Sequence, residues 1–256
     1  MSTLEYRSVG VSFGGVHALD SVTFQVESGH VVGLIGPNGA GKTTLINVTT
    51  GVVAPTTGSV TLDGERLAGR RQHQIARAGV ARTYQNIRLF PRMTAMQNVI
   101  VGATRIRHDP DLGAFIFLPA VRRARLELEE HARYLLHRVG IPRDQWESNA
   151  NVMPYGSQRR LEIARALAMR PRVLLLDEPA AGMNPQETAG MQALIRSIAG
   201  EGVAVLLVEH DMPLVMGSCD RVAVLNFGEL IAQGTPGEVS RDPAVVEAYL
   251  GSEVSS

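Results

Sequence analysis

Over the first sixty residues apolar and polar positions alternate. Val22, Phe24 and Val26 share one face of an extended segment, and Val60 and Leu62 repeat the pattern after the turn Pro55-Thr-Thr-Gly58. A period of two with one apolar face predicts a small antiparallel β layer. Between these segments Val31-Val-Gly-Leu-Ile35 is a short apolar run that meets a glycine-rich loop. A stretch free of helix breakers follows, Lys42 to Thr50, closed by Gly51. The order is strand, loop, helix.

From about 94 to 150 the period changes. Charged and apolar residues recur at helical spacing through Val121-Arg-Arg-Ala-Arg-Leu-Glu-Leu-Glu-Glu-His-Ala-Arg-Tyr-Leu-Leu136, and β-branched residues are few. This predicts a helical insertion. A parallel α/β rhythm then resumes: helix from about Gln158 to Met169, strand Val173 to Leu176, helix Glu187 to Ala199 and strand Val203 to Val208. In the second of these helices Met191, Leu194, Ile195 and Ile198 mark one buried face. The apolar stretch with Phe115, Ile116, Phe117 and Leu118, between Asp109 and Val121, admits two readings, core of the helical part or a hydrophobic patch for membrane partners, of which core is preferred. The tail Gly251 to Ser256 carries no packing pattern.

Composition narrows the function classes. With 256 residues and 45% apolar content the chain can bury a substantial core. Lys plus Arg and Asp plus Glu both number 25, so no bulk charge draws the chain to nucleic acid or an anionic membrane. The start, Met1-Ser-Thr-Leu-Glu-Tyr-Arg7, has no apolar leader pattern, and Leu112 to Val121 is too short to span a bilayer. The chain is therefore expected to be neither exported nor inserted. The single cysteine, Cys219, excludes an internal disulfide and is read as structural.

Two motifs carry chemistry. Gly36-Pro-Asn-Gly-Ala-Gly-Lys-Thr43 fits G-x-x-x-x-G-K-[ST] at every fixed position and lies between a predicted strand and a predicted helix. Glycines let backbone N–H groups turn inward around phosphate oxygens, and the helix aims its positive end at them. Lys42 adds a cation for the β- and γ-phosphates, and the Thr43 hydroxyl can ligate Mg²⁺. Gly36, Pro37, Asn38, Gly39, Ala40, Gly41, Lys42, Thr43 and Thr44 are the expected ATP contacts of this loop. Val173-Leu-Leu-Leu-Asp-Glu178 reads as a buried parallel strand ending in two carboxylates, at the edge where α/β sheets place their chemistry. Asp177 would hold Mg²⁺, directly or through water, and Glu178 is placed to polarise an attacking water.

With these motifs in hand, the chain resembles the ABC transporter ATPase family over nearly its whole length. The resemblance implies a P-loop NTPase, RecA-like α/β core with a small antiparallel β layer and an inserted α-helical subdomain. The core is expected over 1–92 and 160–256, the subdomain with the signature segment over 93–159, within one ABC domain spanning about 4–252. Gln85 in Arg82-Thr-Tyr-Gln-Asn-Ile-Arg-Leu-Phe90 is similar to the family's Q-loop glutamine, which reaches Mg²⁺ and the attacking water. His210 matches the switch histidine at the γ-phosphate, and Phe13 the aromatic that stacks on adenine. Tyr155, Gly156, Ser157 and Gln158 occupy the place of the L-S-G-G-Q signature, which completes the nucleotide site of the opposite subunit; Tyr155 is read at the serine position and Ser157 at the second glycine. Ala180-Ala-Gly-Met-Asn-Pro185 resembles the D-loop, and also reads as capping, with Asn184 at the N-cap and Glu187 at the third helical position.

The runs Arg159-Arg-Leu-Glu-Ile-Ala-Arg-Ala166, Glu209-His-Asp-Met212, Gly234-Thr-Pro-Gly-Glu238 and Ala248-Tyr-Leu-Gly251 are similar to LivG-type subunits of branched-chain amino acid importers. Importers of urea or other amides share much of this pattern. The resemblance implies ATP and Mg²⁺ as cofactors and a second ATPase subunit, identical or different, closing over two nucleotides. It also implies two membrane permease subunits, an indirect external binding protein, and a peripheral place on the cytoplasmic face of the membrane. An exporter ATPase of the lipopolysaccharide type shares the strong motifs. A nucleic-acid or ribosome-acting ABC protein is disfavoured by balanced charge and by the absence of coiled-coil or basic linker segments.

Overall fold

The structure, a computed structural model, describes residues 2–104 and 119–253. The chain folds into two compact units, Met1–Arg82 with Arg172–Ser256, and Thr83–Pro171. The expected limits of the helical part, 93 and 159, fall inside the second unit. That unit takes in the segment from Thr83 and the whole helix that begins at Tyr155, because both are bonded to its other helices.

The first unit holds two sheets. β1 (Thr3–Phe13), β2 (Val16–Glu27), β4 (Thr57–Leu62) and β5 (Glu65–Arg66) form an antiparallel sheet in the order β2-β1-β4-β5. Val22, Phe24, Val26, Val60 and Leu62 all face inward, as the alternation requires. The second sheet has the order β10-β9-β3-β8-β7-β6. Its members are β3 (Val31–Ile35), β6 (Val80–Arg82), β7 (Val173–Asp177), β8 (Ala204–Val208), β9 (Arg221–Asn226) and β10 (Glu229–Gly234). All but β10 run parallel. β3, β7 and β8 are buried at every residue, as expected of strands covered on both faces.

α1 (Lys42–Thr49) is enclosed by one apolar cluster that draws Leu4, Val60 and Leu62 from one sheet, Val32, Leu175 and Leu206 from the other, and Leu45, Ile46 and Val48 from the helix. Tyr6 stacks on Phe24 at 4.5 Å between ring centroids and shares a 2.7 Å hydrogen bond with the Thr49 hydroxyl. Gly33 has Cys219 Sγ beside it, where a side chain would come within 2.9 Å of the sulfur. Burial, with Asp220 adding to it, pushes the Cys219 thiol up to about 12, so this cysteine is inert packing.

The remaining helices of this unit are α2 (Gln72–Arg77), α6 (Pro185–Gly200), α7 (Met212–Ser218), α8 (Pro236–Val239) and α9 (Pro243–Glu253). Met191, Leu194, Ile195 and Ile198 are the buried face of α6, and its start is the expected capping box: Asn184 Oδ1 accepts from Glu187 N at 2.9 Å, and Glu187 Oε2 from Asn184 N at 3.0 Å. α9 carries the chain in helix through Glu253, beyond the point at which the sequence tail loses its pattern.

The second unit is helical: α3 (Ala95–Thr104), α4 (Pro119–Arg138) and α5 (Tyr155–Leu167), with short 3-10 turns at Arg143–Gln145 and Ala150–Val152. α5 starts three residues before the expected Gln158. Pro154, with φ fixed at −54°, serves as its N-cap, and Gln158 N already donates to Pro154 O at 3.0 Å. The apolar residues Phe115 to Leu118 lie outside the described residues. No helix among the described residues is long and apolar enough to cross a membrane.

Candidate active site

The loop between β3 and α1 needs glycine for steric reasons. Gly36 sits at φ 149°, and a Cβ there would meet the Leu225 carbonyl oxygen at 2.0 Å; Gly41 sits at φ 103°, with the Ala18 carbonyl 2.6 Å from its virtual Cβ. The backbone is thereby pressed between β9 and β2, and the first turn of α1, with Thr43 and Thr44, opens at its end. Lys42 Nζ folds back over the loop and donates to Gly36 O at 2.6 Å and Pro37 O at 2.8 Å. Burial pulls its pKa down, and the carboxylates of Glu178 and Asp177 pull it up, which places all three charges in one region. A cation aimed into a cradle of backbone groups at a helix N-terminus fits a polyphosphate. Phe13, 51% exposed, ends β1 beside the Gly14-Gly15 turn of the hairpin whose Ala18 abuts Gly41.

β7 delivers the carboxylates. Asp177 pairs with Val208 in the last step of the β7–β8 ladder, and Glu178 N continues it to Val208 O at 2.9 Å. Asp177 Oδ2 accepts from Arg82 Nη2 at 2.9 Å, and Arg82 Nη1 donates to Asn47 Oδ1 of α1 at 2.9 Å. Arg82 thus ties the helix of the phosphate loop to the strand bearing Asp177, and orients that carboxylate. Glu178 adopts φ 47°, a left-handed conformation rare for a residue with a side chain. Its Oε1 lies 3.6 Å from His210 Nδ1, with side-chain exposures of 20% and 65%. A part-buried carboxylate beside an imidazole, open to solvent, can take a proton from water. Thr43 and Asp177, both in the first unit, offer oxygen donors, the kind that suits Mg²⁺ when phosphate oxygens supply the rest.

Glu209, between β8 and His210, is 1% exposed. Its Oε1 accepts from Ala180 N at 3.2 Å, and its Oε2 from His210 N at 3.2 Å and Asp211 N at 3.4 Å. Burial raises its pKa, and those three N–H groups pull it back.

In the second unit a buried ion pair organises the segment that carries Gln85. Arg159 of α5 donates to Tyr84 O at 2.7 Å and to Gln85 O, and its Nε to the Tyr155 hydroxyl at 3.0 Å. Glu162 Oε1 accepts from Tyr84 N at 3.3 Å and Arg88 N at 3.2 Å. Asn98 of α3 brackets the far end, accepting from Phe90 N at 2.9 Å and donating to Phe90 O at 3.1 Å. Tyr155, Gly156 and Ser157 form the first turn of α5, their N–H groups at its positive end, while Gln158 Nε2 holds Met153 O at 2.8 Å. Arg159 and Glu162 stand 3.6 Å apart with almost no solvent access. Replacing Arg159 by Met is expected to lower stability by about 3–5 kcal/mol, since Glu162 would be left buried without its partner and the bonds to Tyr84 O and Gln85 O would be lost. Urea unfolding followed by circular dichroism measures the loss, and a change below about 1 kcal/mol would show the pair to be solvated.

Comparison with known proteins decides the family. The ABC transporter model matches residues 19–181, well over half of the chain. This chain belongs to the ABC transporter family. A second model, described as branched-chain amino acid ATP-binding cassette transporter, matches residues 229–255. The chain is 47% identical, over 97% of both proteins, to the high-affinity branched-chain amino acid transport ATP-binding protein BraF of Pseudomonas aeruginosa. It is 44% identical, again over 97% of both, to LivG of Salmonella typhimurium, a protein of the same description. Among solved structures, the ADP conformation of an ATP-binding cassette of an ABC transporter matches with a TM-score of 0.84 at 28% identity, covering 98% of this chain and 99% of that one. The chain is thus an ATP-binding, ATP-hydrolysing subunit of an ABC transporter, built on the P-loop α/β fold.

Within this ABC ATPase the first unit gathers Gly36 to Thr44, Asp177, Glu178 and His210 at the carboxyl ends of β3, β7 and β8, three adjacent parallel strands. Gln85 and Tyr155 to Gln158 belong to the second unit. Arg82, Asn47, Glu209, Arg159 and Glu162 had no assigned role in the sequence reading. An arginine in a three-residue strand and a carboxylate one place before a histidine give no signal until the sheet brings their partners to them.

Proposed function

We propose that this chain hydrolyses ATP to energise an importer of branched-chain or related amino acids. The observation that carries the catalytic part is the convergence of Lys42, Asp177, Glu178 and His210 at one sheet edge. In this reading the loop from Gly36 to Thr44 holds the phosphates and Phe13 stacks on adenine. Thr43, Asp177 and Gln85 hold Mg²⁺. Glu178 takes a proton as a water oxygen bonds to the γ-phosphorus and the bond to the leaving ADP oxygen breaks, while His210 contacts the phosphoryl group. Tyr155 to Gln158, at the N-terminus of α5, serve the nucleotide of the partner ATPase subunit.

The substrate class rests on the descriptions of BraF and LivG and on the match at residues 229–255. Two membrane permease subunits and a second ATPase subunit complete the assembly, fed by an external binding protein, with this chain peripheral on the cytoplasmic face. Phe90, Met93 and Val152 support a docking surface on the helical unit. All three are exposed, and Ala150 N to Met93 O and Asn151 N to Pro91 O bring their segments side by side. In proteoliposomes containing the assembled transporter, ATP turnover should rise when leucine-loaded binding protein is added outside. Stimulation by an amide such as urea, or by lipopolysaccharide, in place of leucine would overturn the substrate assignment.

A further inference from the structure

Two loops meet at the site from different strands. The β7–β8 ladder ends at Asp177 and Val208, with one further bond from Glu178 N to Val208 O. Beyond it both chains turn away, and Glu178 takes its left-handed conformation. Ala180 N on one side, and His210 N and Asp211 N on the other, would have no ladder partner. The Glu209 carboxylate supplies acceptors to all three. Each oxygen serves a different loop, so a single side chain fixes their separation. Asp211 then caps α7 by accepting from Leu214 N at 2.9 Å, which anchors the histidine loop at its far end.

We propose that Glu209 is a positioning residue that sets Glu178 and His210 in register. It does so by bridging the backbone after Glu178 to the backbone of His210 with one buried carboxylate. Glu209 touches neither water nor phosphate; it acts through the two residues that do, and so rests on the catalytic roles proposed above. The side chains of Glu178 and His210 approach to 3.6 Å only because two loops from separate strands are held at one spacing. Displacements of about 1 Å in such a pair cost about a hundredfold in rate. A carboxylate can satisfy both loops at once. A carboxamide has a single acceptor oxygen and turns a donor toward the other loop, so Glu209→Gln should release one side.

The test uses the purified full-length chain without nucleotide. Hydrogen exchange of peptides covering 178–183 and 209–212 is followed for the natural protein, Glu209→Ala and Glu209→Gln. Glu209→Ala should speed exchange of both peptides by about tenfold or more, and Glu209→Gln that of one, with phosphate-loop peptides unchanged. Paired with its partner subunit, Glu209→Ala should lose about ten- to a hundredfold in kcat at unchanged KM for ATP. Should Glu209→Ala not fold, Glu209→Asp, one methylene too short to span both loops, takes its place with the same expectation. Loosening of only one loop by Glu209→Ala, or of neither, would overturn the proposal, as would equal behaviour of Glu209→Gln and the natural protein. The exchange result stands apart from hydrolysis: if Glu178→Gln turned over normally while both peptides loosened in Glu209→Ala, the catalytic reading would fail and the bridge would remain.

Discussion

Glu178→Gln should retain ATP and fail to hydrolyse it. The substitution keeps the shape of the side chain and leaves the bond from residue 178 N to Val208 O in place, so the strand end and the phosphate loop are undisturbed. What it removes is the proton acceptor. General bases contribute about 10²–10⁴ to rate, and the loss of phosphate release in single-turnover assays should fall in that range. Nucleotide affinity should not fall, since the phosphate loop and the Lys42 ammonium that would hold the phosphates are left in place. Removal of one negative charge near Lys42 also lifts part of the upward pull on its pKa, and burial then dominates more fully. Phosphate release that drops less than about tenfold would show that water is readied elsewhere. A collapse of ATP binding would instead mark Glu178 as a structural prop of the loop.

The hydrophobic pattern carried most of the fold because it carried burial. Val22, Phe24 and Val26 alternate because one face of β2 packs on the core; Val31 to Ile35 and Val173 to Leu176 do not alternate because both of their faces are covered. The capping of α6 at Asn184, Pro185 and Glu187 is local chemistry and stands in the structure as written in the sequence. The start of α5 was less legible. A Pro-Tyr-Gly-Ser run reads as a turn, yet proline is well suited to precede a helix and the packing of Leu161 and Ile163 draws the first turn in. The phosphate loop and the Asp177-Glu178 pair were legible because they are contiguous. Arg82, Asn47 and Glu209 were not, since each takes its meaning from a partner distant in sequence: Arg82 from Asp177 and Asn47, Glu209 from Ala180. Composition and spacing do not encode such pairings; the parallel order of β6, β7, β8 and β3 does.

Lys42→Met should abolish useful nucleotide binding, the other large effect expected of this chain. The substitution keeps an aliphatic stem of similar reach and removes the ammonium that bonds Gly36 O and Pro37 O. Hydrogen bonds to charged groups are worth about 1.5–3 kcal/mol each, and a polyphosphate in this part-buried loop would lose more than one. A fall in ATP affinity of about a hundredfold or more is expected, measured by isothermal titration with the purified chain. The fold itself should tolerate the change, because burial already disfavours the charged lysine, as its lowered pKa records. A Tm close to that of the natural protein, together with lost binding, would place the effect in the site and not in the core. The contrast with Glu178→Gln separates the two steps: one variant holds ATP without opening it, and the other does not hold it. Wild-type turnover in Lys42→Met would remove the basis for assigning the phosphates to this loop.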